Sequence, residues 1–162
     1  MNSATTTPPV LALYRRLSRW PLGHWLFTRA LCFKAPYFAT IRPLFTVLGP
    51  GHAEARIRKR RRVENHIHTV HAIAMANLCE LVAGTMTEVT VPVSMRWIPK
   101  GMSIDYLAKA TTDVSAVAKI DPLPAFATAA DLPVTVEVSD TAGTVVVRAV
   151  ITMYVSPRHK GA

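Results

Sequence analysis

The chain of 162 residues is half hydrophobic and carries 19 Lys and Arg against 10 Asp and Glu, a formal net charge of +9 with a pI near 10.2. That length and apolar content exclude global disorder and fit one domain with a sizeable core. The charge leaves nucleic acid, an anionic membrane surface and a phosphate-bearing substrate open as partners, and chooses none of them.

The first nine residues, with Pro8 and Pro9 at their end, have no basic segment and no apolar core. They do not read as a secretory signal and are expected to be mobile. No uninterrupted apolar run has the length of a membrane span, so a cytoplasmic protein is expected. Cys32 and Cys79 lie far apart in apolar segments. They are expected as buried thiols in a reducing compartment, neither a disulfide nor a metal site.

Residues 10–48 read as helical, broken by Pro21, Pro36 and Pro43. Leu11, Tyr14, Leu17 and Trp20 recur at three-residue steps, with Arg15, Arg16 and Arg19 off the stripe. Second and third helical pieces are expected over 22–33 and 36–48. Packing on the main domain is the favoured reading of this extension. The sharper alternative is a membrane-surface anchor, because Trp20, Trp25 and Phe27 accompany several arginines. Gly49-Pro50-Gly51 is a strong break and the expected boundary between an extension over 1–50 and a domain over 51–162.

Residues 52–64 read as the first strand. Ala53, Ala55 and Ile57 alternate with polar neighbours before the basic run from Arg58 to Arg62. The next segment, 65–84, organises the rest. From Thr69 to Gly84 it is apolar and small, with no proline before Pro92, which predicts a buried helix ending near Gly84. Ala74, Leu78, Leu81 and Val82 mark a sheet-packing face. Ile73, Ala76, Asn77, Glu80 and Gly84 mark a smaller, more polar one. A carboxylate on such a helix is costly unless it is paired, wet or used.

Glu88–Val91 looks strand-like, although Pro92 interrupts it. A strand is expected over 102–110, and another over 113–120, where Val114, Ala116, Ala118 and Ile120 alternate. Residues 121–131 form a loop. A strand over 132–140, a turn at Thr141-Ala142-Gly143, a last strand over 144–155 and a basic tail complete the chain. An antiparallel sheet wrapped round one helix is the natural way to bury so apolar a rod, which makes the fold α+β.

The spacing Asn65, His71, Glu80 resembles the hotdog-fold thioesterases, in particular the phenylacetyl-CoA thioesterase-like group. There an Asn precedes by six residues a His that opens the long helix, and an acidic residue follows nine later. The surroundings also resemble a hotdog family of unknown function with an N-terminal helical extension. The usual His-Gly-Gly is His71-Ala72-Ile73 here, and the usual Asp is Glu80.

The resemblance implies hydrolysis of an acyl thioester such as acyl-CoA. Glu80 would activate water or attack directly, and amides near Ala72 would face the oxyanion. Asn65 would hold the water or carbonyl, and His71 would orient the loop. Asn77 could fix the Glu80 carboxylate. Arg60, Arg61 or Arg62 could meet coenzyme A phosphates, since arginine grips phosphate bidentately. No cofactor is expected beyond the coenzyme A of the substrate itself, and no metal. Residues nine apart on a helix project to opposite sides, so His71 and Glu80 need a two-fold dimer, or a dimer of dimers, to meet. The alternative is a hotdog protein that binds acyl groups or acyl-CoA without cleaving them. Nucleic acid is the less favoured partner, and peripheral membrane contact is left open.

Overall fold

The computed structural model describes residues 7–158. Two helices come first, α1 (Pro9–Leu17) and α2 (Gly23–Lys34), then a 3-10 helix, Pro36–Ile41. Strands β1 (Leu44–Gly49) and β2 (His52–Ile57) follow. After a second 3-10 turn, Arg61–Val63, the chain enters α3 (Ala72–Thr90) and finishes with β3 (Met95–Tyr106), β4 (Val114–Lys119), β5 (Ala130–Asp140) and β6 (Val145–Pro157).

The six strands form one antiparallel sheet in the order β1-β2-β4-β5-β6-β3. Its concave face grips α3. Leu78, Leu81, Val82 and Met86 are fully buried on the helix. They meet the inward side chains of β2, β4, β5 and β6: Ala53, Ala55, Ala116, Ala118, Val134, Val136, Ala149 and Ile151. Alanines on β2 and β4 let the helix sit close to the sheet. Valines on β5 supply bulk to the same core. The sheet-wrapped helix expected from the sequence is therefore the architecture of the molecule.

Several boundaries differ from the sequence reading. The helix does not stop at Gly84 but runs on to Thr90, so Glu88–Val91 is its end and not a strand. Thr85, Thr87 and Thr90 donate their hydroxyls to the carbonyls of Leu81, Ala83 and Met86, which keeps a β-branched segment helical. The expected third helical piece shrinks to Pro36–Ile41, because Leu44–Gly49 is a strand. Gly49-Pro50-Gly51 is the turn that joins β1 to β2, with Gly51 at φ +74°. The expected boundary at 50/51 thus falls inside a hairpin, and the extension shares its last strand with the sheet. The first strand ends at Ile57, well before Glu64, because the chain turns through Arg61–Val63. The second begins at Met95, earlier than expected. The expectation of a mobile start falls mainly on residues outside those described.

By length and composition alone α3 could cross a membrane, but Glu80 and Glu88 interrupt its apolar run, as expected, and 72% of the window is buried inside the protein. The two edges of the sheet differ. At β1, the Phe45 N–H donates to Thr28 Oγ1 at 3.0 Å, and Tyr14 donates its hydroxyl to the Thr46 carbonyl at 3.0 Å. Helices α1 and α2 thereby cover that edge. At β3 no element among the described residues does so, and Ile98, Met102 and Tyr106 stand exposed along it.

Candidate active site along the core helix

A loop built on one side chain delivers the chain to α3. Asn65 Oδ1 accepts from the N–H groups of Ile67 and Thr69, both at 3.1 Å, and its Nδ2 donates to Thr69 Oγ1 at 2.8 Å. Asparagine favours such self-closed turns because its short amide mimics a peptide group. Glu64 and Val70 pair across the loop, and His68 takes the left-handed position inside it at φ +59°. Asn65 is thus engaged in shaping the loop that fixes where His71 emerges.

His71 is the N-cap of α3. Its Nδ1 accepts the Ile73 N–H at 3.1 Å, which leaves the proton of the neutral ring on Nε2. Its carbonyl accepts from Ala74 and Met75. Among the described residues, the Ala72 N–H finds no acceptor. It is a free donor at the positive end of a helix of 19 residues. Tyr106, at the end of β3, donates its hydroxyl to the Ala72 carbonyl at 3.3 Å. Burial first, and then the nearby Cys79, raise the Tyr106 pKa.

A cavity of about 180 Å³ opens at this end, with Tyr37, Thr40, Arg62, His71, Ile73 and Asn77 in its lining. The Asn77 amide is turned to it: Nδ2 donates to Thr40 Oγ1 at 3.4 Å, while Oδ1 is buried without a partner among the described residues. A buried acceptor left empty in this way is uncommon and invites a donor. Asn77 therefore faces Thr40, and no hydrogen bond joins it to Glu80 among the described residues.

Glu80 lies on another side of the helix. It lines a groove of about 440 Å³ whose walls include Val10, Leu31, Phe38, Gly84, Trp97 and Met153. The wall is mostly apolar, and α1, α2 and the 3-10 helix build one flank of it. The Glu80 side chain is exposed, with no cation within ion-pair distance among the described residues. Its own chain therefore does not supply the burial that would desolvate it. Beyond Gly84, Trp97 donates its indole N–H to Glu88 Oε2 at 2.7 Å. Cys79, in contrast, is fully buried, and burial pushes its thiol up to about 12, which keeps it a protonated, inert side chain.

The basic run divides. Arg60 donates to the Thr40 carbonyl at 3.3 Å, Arg61 is exposed, and Arg62 reaches the cavity beside His71. Burial, then Arg42 and Arg62, lower the Arg60 pKa. Among the described residues no three His, Cys, Asp or Glu side chains gather as a metal-ligand set. So the structure brings Arg62, His71 and Asn77 together at the front of α3 and sets Glu80 apart. Sequence reasoning missed Thr40, Glu88, Trp97 and Tyr106 as parts of these cavities. Each comes from an element whose placement depends on the whole fold.

The model of a family described as a domain of unknown function, DUF4442, matches residues 23–155. The chain belongs to the DUF4442 family. A structural-genomics crystal structure, APC5556, is 45% identical to this DUF4442 chain, covers 92% of it and 98% of itself, and superposes with a TM-score of 0.80. A Pseudomonas aeruginosa protein described as of unknown function and "Probable Thioesterase" is 20% identical, with 76% and 88% covered and a TM-score of 0.70. A Haemophilus influenzae thioesterase is 12% identical, with 76% and 86% covered and a TM-score of 0.66. At those last identities the likeness establishes the fold, and the fold is the hotdog of the thioesterases. No curated protein matches the chain.

Proposed function

We propose that this DUF4442 protein hydrolyses acyl thioesters, acyl-CoA foremost, at a site that two copies build together. The observation that carries the reading is Glu80: an unpaired carboxylate on the wall of an apolar groove large enough for an acyl chain. A carboxylate so placed, with no ion pair to hold it there, is a candidate base.

The free Ala72 amide is the second part. It lies about 12 Å along the helix from Glu80, too far for one carbonyl to meet both within a single chain. A two-fold axis beside α3 would bring Glu80 of one copy to Ala72 of the partner subunit. The β3 edge offers that axis a place: among the described residues no other strand pairs with its outer side, and Ile98, Met102 and Tyr106 stand exposed along it. The thioester carbonyl would then accept from the Ala72 N–H. Water, its proton passing to Glu80, adds to the carbonyl carbon. The tetrahedral oxyanion collapses, the C–S bond breaks, and the proton returns from Glu80 to the thiolate, giving a carboxylic acid and a free thiol. The unpartnered Asn77 Oδ1 would take a hydrogen bond from an amide of the pantetheine arm, and Arg60, Arg61 and Arg62 would meet the coenzyme A phosphates. The buried free thiols Cys32 and Cys79 suit work in a reducing cytoplasm.

A second reading has one observation in its favour. Ile73 stands 59% exposed beside the free amide, where the resembling thioesterases have glycine. Its side chain narrows the approach to the carbonyl, as suits a protein that binds acyl-CoA without cleaving it. Release of free thiol from a series of acyl-CoAs separates the two. Hydrolysis that falls roughly a hundredfold or more in kcat with Glu80→Gln is the expected result. Saturable acyl-CoA binding without thiol release, or full activity in Glu80→Gln, would overturn the hydrolytic reading.

A further inference from the structure

Helix α2 buries Phe27, Thr28 and Cys32 against the sheet, yet its opposite face is just as apolar. Leu22, Trp25, Leu26 and Phe33 line up there at helical spacing, and Phe33 is 91% exposed. Trp20, 69% exposed, extends the patch into the turn before α2. A contiguous apolar face of this kind on a soluble domain marks an interaction surface.

Beside it lies a cavity of about 540 Å³ edged by Arg29, Arg42, Arg56 and Arg58, with Trp25 at its mouth. The Arg29 guanidinium sits 5.8 Å from the centre of the Trp25 ring. Among the described residues none of these four arginines has an acidic partner within ion-pair distance. Arg42 is held in the left-handed region at φ +47°, a position that disfavours a side chain. The surroundings share the sign: the chain contains no acidic residue before Glu54. The Pro36–Ile41 helix separates this cavity from the one beside His71, so the two are distinct.

We propose that the outer face of α2 and the arginine cavity beside it dock the protein on an anionic phospholipid surface. Leu22, Trp25, Leu26 and Phe33 enter the boundary between headgroups and acyl chains, and Arg29, Arg42, Arg56 and Arg58 take lipid phosphates. Apolar insertion and phosphate-binding arginines on one face are the two signals that membrane-surface binding combines. A second copy of the chain fits the face poorly. A two-fold contact would set the same arginines against each other with no acid between them. Nucleic acid would use the arginines and could stack on Trp25 and Phe33, but it leaves Leu22 and Leu26 without a role, since aliphatic side chains offer no stacking face.

Flotation of the full chain with phosphatidylcholine vesicles, with and without phosphatidylglycerol, tests this. Binding only to the anionic vesicles, weakening with salt, is expected. Phe33→Asp, at a site too exposed to disturb folding, should abolish it. The double substitution Arg56→Gln with Arg58→Gln should weaken it roughly twenty-five-fold, at about a fivefold loss for each arginine near an anionic surface. Failure to float, equal binding to neutral vesicles, or unchanged binding by Phe33→Asp would each overturn the proposal. So would duplex DNA binding tighter than vesicle binding and indifferent to Phe33→Asp. If Phe33→Asp instead alters the assembly state and spares lipid binding, the face belongs to a second copy and the proposal is equally lost.

Discussion

Trp97 lies directly over Gly84. A Cβ added to the glycine would come within 3.2 Å of the indole Cη2, and the indole cannot easily retreat because Glu88 holds its N–H at 2.7 Å. Both residues line the groove that Glu80 faces. A glycine in a helix interior costs about 1 kcal/mol relative to alanine, and here the cost secures the close approach of strand β3 to the helix. In Gly84→Ala that propensity gain and the new crowding should nearly cancel, leaving stability within about 1 kcal/mol of the parent. Gly84→Val should lose about 1–3 kcal/mol, as overpacked sites do, which urea denaturation would measure. Because the added methyls also narrow the groove, kcat/KM for long acyl-CoAs should fall roughly tenfold relative to short ones.

His71 offers a cleaner separation of structure from chemistry. Its imidazole caps the helix through Nδ1, a task that serine performs at least as well. His71→Ala should cost about 1 kcal/mol and lower Tm, whereas His71→Ser should keep Tm near the parent value. If capping is the whole role, thiol release in His71→Ser matches the parent. A loss of activity in His71→Ser at unchanged Tm would assign the imidazole a direct part in the reaction.

The front of α3 was legible in the sequence, and its far end was not. The apolar periodicity from Ala74 to Val82 and the alternation at Val114, Ala116 and Ala118 or Val134, Val136 and Val138 report one buried face each, so their periods survive. Gly84 misleads because its reason for being glycine is Trp97, a residue that only the folded sheet brings near. Thr85, Thr87 and Thr90 mislead because their hydroxyls bond within the helix, which residue propensity does not register. Leu44–Gly49 is a short apolar run flanked by proline, and helix and strand look alike at that length. Asn77 was misplaced for a simpler reason. Three residues on a helix turn a side chain about 60° off its neighbour, enough here to put it in a different cavity from Glu80.

Alkaline pH should expose the cost of burying Cys79. Its thiol is pushed from 9.0 up to about 12 by burial, so the folded state keeps the proton over a range where the unfolded chain loses it. The unfolded state then binds fewer protons, and stability falls as pH rises. The contribution is intact below pH 9.0 and declines by roughly 1.4 kcal/mol per pH unit until about 12. Tyr14 and Tyr106, both raised chiefly by burial, act in the same direction. Urea denaturation at a series of pH values above 9 should show this decline. Cys79→Ala should begin less stable at neutral pH yet show a shallower alkaline slope.

The exposed edge of β3 decides whether the enzyme reading can hold. Ile98 and Met102 project from a strand whose outer hydrogen-bonding groups meet no other strand among the described residues, while Tyr106 at its end touches the carbonyl of Ala72. If two copies join along this strand, the same contact that seals the edge also carries the Glu80 groove of one copy toward the helix front of the other. Replacing Ile98, 61% exposed, with Lys leaves the core of each copy untouched and puts a like charge close to its own symmetry mate. Sedimentation should therefore show a dimer for the parent and a folded monomer for Ile98→Lys. Thiol release should disappear with the dimer, because neither cavity of a lone chain holds both the carboxylate and the free amide. A monomeric parent, or an Ile98→Lys monomer with full activity, would remove the shared site and leave the groove to serve a binding protein.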